Sequence, residues 1–107
     1  MNLLTDIPAI FSDELTDTLL VGRKIRIERI VSRGHASPKQ FWYDQDENEW
    51  LILLQGSGTI RYPNGSCITL TAGEYLHIPA HHLHQVSWTD PQVDTIWLAV
   101  FYSPEVE

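Results

Sequence analysis

The sequence is short of several things, and each shortage bears on function. Of 107 residues only one is cysteine. Cys67 cannot form a disulfide within the chain, and an unpaired thiol suits a reducing compartment. Basic residues are scarce: Lys and Arg total 7 against 14 Asp and Glu, for a formal charge of −7. Phosphate backbones and anionic lipid surfaces are held by basic faces, so the balance speaks against nucleic acid and membrane as partners. No Lys or Arg precedes Arg23, so the basic start of a secretory signal is missing. The longest apolar runs, residues 50–54 and 96–102, are far too short to cross a bilayer. There is no glycine-rich phosphate loop and no nucleophile elbow. The expectation is a soluble, cytoplasmic protein.

What is present suffices for one core. Hydrophobic residues make up 43% and charged residues 20%, a composition that folds, at a length that fits one domain. Residues 1–21 predict a helical extension. Asp6 and Ser12 can cap, Pro8 suits a first turn, Asp13 and Glu14 follow Ser12, and Ile7, Ile10, Phe11, Leu15 and Leu19 recur at helical spacing. Residues 22–107 read as a β-barrel domain. Short apolar runs alternate with turn signals, predicting strands at 24–31, 40–43, 49–55, 58–62, 66–71, 74–78, 83–88 and 95–102. Gly56-Ser57-Gly58, Thr71-Ala72-Gly73 and Asp90-Pro91 supply turns. Asn64-Gly65 predicts a hairpin with a type I′ turn.

Residues 50–54 and 96–102 carry no charge on either face. Side chains alternate along a strand, so one face fills the barrel and the other needs a cover. The N-terminal helix or a second copy would supply it, which predicts a homodimer.

Two stretches carry the chemistry. Residues 44–49 hold four acids, Asp44, Asp46, Glu47 and Glu49. Residues 73–84 hold four of the five histidines, ending in Pro79, His81, His82 and His84. Glu49 is followed by six residues and Gly56. Gly73 is followed by five residues and Pro79, with His84 five positions on. These spacings resemble the paired motifs of the cupin superfamily, G-x5-H-x-H-x3-4-E-x6-G and G-x5-P-x-G-x2-H-x3-N. His81 stands where the second motif has its second glycine, and Trp88 where it has asparagine. The resemblance implies an all-β fold, the double-stranded β-helix or jelly roll, over roughly residues 22–102.

It also implies a reduced site. Metal-binding relatives hold one divalent ion with two histidines and the glutamate of the first motif and the histidine of the second. Here the two histidine positions are Trp42 and Asp44, or Tyr43 and Gln45, depending on the spacing taken. The implied ligands are therefore Glu49 and His84 with Asp44 or Gln45, for one divalent metal among Mn, Fe, Ni and Zn. A carboxylate, a carboxamide and a single imidazole suit Mn²⁺, Fe²⁺ or Mg²⁺ better than Zn²⁺. A rival set joins Glu49 to His82 and His84, which share a face if the strand starts early.

Tyr43, Trp42, Arg29, His82 and Trp88 are the expected pocket-lining residues. Arg29 and Arg61 could grip an anion, or simply pair with the abundant carboxylates. Cys67 reads as a small buried hydrophobe. The function expected is binding of a small molecule in the barrel pocket, with or without a weak metal site and with turnover left open. The alternative is a metal-free sensing or structural dimeric module.

Overall fold

In the computed structural model, which describes residues 1–104, eight strands form two antiparallel sheets. They are β1 (Leu15–Val21), β2 (Ile25–Ser32), β3 (Asn48–Gln55), β4 (Ser57–Arg61), β5 (Cys67–Thr71), β6 (Tyr75–Ile78), β7 (Gln85–Thr89) and β8 (Thr95–Tyr102). One sheet has five strands in the order β1-β2-β8-β3-β6, and the other has three in the order β5-β4-β7. The all-β expectation is met, and seven of the predicted strands appear close to their places.

The N-terminal helix does not form. No helix occurs among the described residues, and Leu15–Val21 instead pairs with β2 from Leu15↔Val31 to Val21↔Arg26. The segment holds two β-branched threonines and a valine, and its burial alternates along Leu15, Thr16, Asp17 and Thr18. That period of two fits a strand; the helical spacing of Ile7 to Leu19 joined two unrelated segments. Residues 40–43 are no strand either, and Tyr43 makes only an isolated bridge with His84.

Residues 3–9 are tied to the large sheet by arginines. Arg29, 1% exposed, donates to the carbonyls of Leu3 and Asp6 and pairs with Asp17. Arg33 donates to Ala9 O, lies over the Phe11 ring and forks onto both oxygens of Asp94. A fork-to-carboxylate geometry of this kind is the stronger form of ion pair.

The Asn64-Gly65 hairpin stands where expected, with a different turn. A type I′ turn needs positive φ at both central residues, but His81 is the only non-glycine residue with positive φ among those described. Pro63 holds its own φ negative, Gly65 N donates to Tyr62 O at 2.9 Å, and Gly65 alone takes φ 88°. Cys67 is exposed at the outer edge of the small sheet, not buried.

The core fills the space between the sheets. Leu51, Leu53, Trp97, Ala99 and Phe101 project from β3 and β8 and meet Ile60 and Leu70 from the small sheet. Gly58 permits the closest approach, since a Cβ there would sit 2.4 Å from Trp97 Cζ2. Packing is complete at this end. At the other end Arg26, Phe101 and Glu49 lie in one row across β2, β8 and β3, and a cavity opens.

Candidate functional site

The cavity measures about 260 Å³ and is lined from both sheets. β3 contributes Glu49 and Leu51, β8 Trp97 and Phe101, and β2 Arg26, Glu28 and Ile30. Glu14 and Thr16 close one side; Tyr43, Gln45 and His84 close another. The alternation that puts Leu51 and Leu53 in the core puts Glu49 in the cavity floor, 5% exposed. His84 precedes β7 and is 4% exposed.

Glu49 and His84 face each other. Glu49 Oε1 stands 3.7 Å from His84 Nε2, beyond hydrogen-bond range. His84 Nδ1 lies 2.9 Å from His82 O. A carbonyl can only accept, so Nδ1 carries the hydrogen and Nε2 offers its lone pair to the cavity. Burial holds the His84 pKa below its ordinary value, which keeps the ring neutral. Burial pushes the Glu49 carboxyl up to about 7, partly offset by the Gln45 amide, which donates to Oε1 at 3.2 Å. Tyr43 stacks on His84 with centroids 5.2 Å apart, and burial followed by the nearby Glu14 charge raises its phenol pKa. The floor is therefore an acid near its midpoint at neutral pH, beside a neutral imidazole acceptor. The gap between them suits one hydroxyl.

The structure brings together Glu49, His84, Gln45 and Tyr43 from the expected site. This selects the shorter spacing, in which Tyr43 and Gln45 take the first motif's histidine positions. The other expected residues lie elsewhere. Asp44 Oδ1 is 2.6 Å from His81 Nδ1 on the surface. Trp42 lies under the Arg61 guanidinium, 5.7 Å from it, and Arg61 also reaches Gln85. His82 stacks on Tyr62, which removes it from the rival ligand set. Trp88 is 43% exposed on β7, and Arg29 lies on the outer face of β2. Glu14, Arg26 and Glu28 were not expected. Residues 25–31 alternate in such a way that each face receives both charged and apolar side chains, so the pattern does not say which face is inward.

His81 has φ 60°, the left-handed region that non-glycine residues rarely enter. It occupies the motif position of a glycine. Its backbone N–H donates to Gln45 O at 2.8 Å, and its ring is held by Asp44, whose hydrogen bond raises the His81 pKa. The acidic loop is thus what holds the turn before His84.

Comparison with known proteins agrees with the geometry. The cupin domain family matches residues 29–101. The chain is a cupin. Among solved structures, a protein from Ralstonia eutropha described as a candidate mannose-6-phosphate isomerase is 40% identical, with TM-score 0.91 over 96% of each chain. A cupin superfamily protein from Desulfitobacterium hafniense is 18% identical, with TM-score 0.74 over 91% of this chain and 84% of that one. A double-stranded β-helix cupin from Methanocaldococcus jannaschii is 15% identical, with TM-score 0.71 over 92% and 87%. At those two identities the likeness shows the fold alone. No curated protein sequence matches.

As a cupin, the chain can be tested for the family's metal. Among the described residues no three His, Cys, Asp or Glu side chains gather to hold an ion. The two positions where metal-binding relatives carry histidines hold a phenol stacked on His84 and an amide that gives its N–H to Glu49. The residues present do not fit the family's metal.

Proposed function

We propose that this cupin binds a small hydroxyl-bearing molecule in the barrel, holding it by hydrogen bonds to Glu49 and His84 with no metal between. One observation carries the reading: two buried groups, an acid and an imidazole acceptor, face one gap of 3.7 Å in the floor of a cavity of about 260 Å³. The aromatic faces of Tyr43 and Trp97 and the apolar Leu51 and Ile60 supply the rest of a small-ligand site, concave and mostly apolar with few polar groups. A screen of small polyols and hydroxy compounds by thermal shift tests it. Hits are expected to lose binding in His84→Gln and Glu49→Gln while both variants remain folded. Hits insensitive to both substitutions would place the ligand elsewhere.

The relative described as a candidate mannose-6-phosphate isomerase raises a second reading, sugar isomerisation with Glu49 as the proton carrier. A phosphate needs a free cation. The cavity's one guanidinium, Arg26, has Glu28 at 3.0 Å and Glu47 at 3.2 Å, although its buried Nε makes no hydrogen bond. No turnover of mannose-6-phosphate is expected.

We also propose a homodimer through the outer face of the large sheet, where Trp50, Ile52, Leu98 and Val100 are only half-buried and Tyr75 is 64% exposed. Sedimentation at micromolar concentration is expected to give about twice the 12.3 kDa of one chain, and the monomer mass would contradict this. The exposed thiol of Cys67 supports a reducing, cytoplasmic location. No helix among the described residues is long and apolar enough to cross a membrane.

A further inference from the structure

The charges on the cavity wall bear on the ligand's own charge. Glu14, Glu28 and Glu49 line the cavity, and Arg26 is the only Lys or Arg among the lining residues. Arg26 has two carboxylates and a ring close by, although its buried Nε makes no hydrogen bond. Its Nε is 3.0 Å from Glu28 Oε2, its Nη1 is 3.2 Å from Glu47 Oε1, and its plane lies 4.2 Å over the Phe101 ring. The Glu14 carboxylate is held only by a neutral donor, the Ser32 hydroxyl, which in turn accepts from the Trp97 indole.

These acids surround a space that also presents an unpartnered acceptor. His84 Nε2, in a side chain only 4% exposed, makes no hydrogen bond among the described residues and points at the gap beside Glu49. Tyr43 and Trp97 complete the wall. An anion entering would shed its water and meet three carboxyls against a single guanidinium. A cation would meet more carboxyl groups than the one guanidinium offsets, above all Glu14, which has no cationic partner.

We propose that the ligand is a small organic cation bearing a hydroxyl group, its ammonium set against Glu14 and its hydroxyl in the gap between His84 and Glu49. The inference rests on the reading of the cavity as the ligand site and adds the ligand's charge class to it.

Three probes of nearly equal shape test it on the full chain: choline, its uncharged carbon isostere neohexyl alcohol, and the anion tert-butylacetate. The readout is the Trp97 indole N–H signal in NMR spectra, since that ring lines the cavity and donates to Ser32 Oγ at 3.3 Å. At low salt, choline is expected to shift the signal with an affinity about tenfold above that of neohexyl alcohol. Tert-butylacetate is expected to leave the signal unmoved. Glu14→Gln should weaken choline severalfold and leave neohexyl alcohol unchanged. A second measurement uses the unaltered protein: rising salt should weaken choline and spare the alcohol. If the alcohol or the anion binds as tightly as choline, the charge class is overturned while the cavity stands as the ligand site. If none of the three moves Trp97, both the charge class and the proposed ligand site fall.

Discussion

Replacing Arg29 with methionine is expected to cost about 3 kcal/mol of stability, the low end of what removing one partner of a buried ion pair costs. The side chain is 1% exposed, and its guanidinium holds Asp17 and two backbone carbonyls, Leu3 O at 3.2 Å and Asp6 O at 2.8 Å. Methionine fills the volume but donates nothing. Asp17 is part-exposed and can return to water, which keeps the loss at the lower end. The carbonyls of Leu3 and Asp6 lose their donor, so the segment around them should also leave the sheet. A domain of this size has roughly 5–15 kcal/mol in total, so the change is a large fraction of it. Urea denaturation measures the loss, and hydrogen exchange of the first amides reports the detachment. A loss below about 1 kcal/mol with exchange unchanged would mean that the N-terminal segment is held by something other than Arg29.

The second large effect depends on pH. Glu49 has its carboxyl raised by burial from 4.5 to about 7. Between those values the folded protein keeps a proton that the unfolded chain has lost. Stability therefore falls as pH rises through this window, by about 1.4 kcal/mol for each pH unit or about 3 kcal/mol in all, and this group contributes no further change above or below it. His84 acts in the opposite direction. Its pKa is lowered by burial, so below the ordinary histidine value the unfolded chain takes up a proton that the folded one refuses, and stability falls with acid. Glu49→Gln keeps the shape, can still accept from Gln45, and removes only the first effect. The variant should therefore gain on the parent protein between pH 5 and pH 8 by about 3 kcal/mol, read as the difference of two denaturation profiles. Parallel profiles would show that Glu49 is ionised in the fold.

The parts of the molecule that could be read from its sequence share a physical cause. Strands 2 to 8 are marked by turn chemistry that acts locally, such as Pro63 with Gly65 and the positive φ of Gly56 and Gly73. Glu49 and His84 were legible through spacing, because a motif fixes how far apart two strands place their side chains. The first motif's other positions were legible only as two registers, and on a strand a shift by one residue exchanges the faces. The structure settles this by setting Tyr43 against His84 and Gln45 against Glu49. The same ambiguity hid Arg26 and favoured Arg29 three residues away, since β2 is mixed on both faces. Glu14 was hidden for a different reason. It reads as a first-turn acid of a helix, and only pairing between Leu15–Val21 and β2 turns it toward the cavity.

The central claim is that the cupin barrel has kept its Glu49–His84 pair and lost the metal those positions hold in relatives. Elemental analysis of protein purified from metal-supplemented cells, with Glu49→Gln and His84→Gln beside it, tests this most directly. Far less than one equivalent of Mn, Fe, Ni or Zn is expected in all three, with no difference among them. Close to one equivalent in the unaltered protein, lost in both variants, would contradict it.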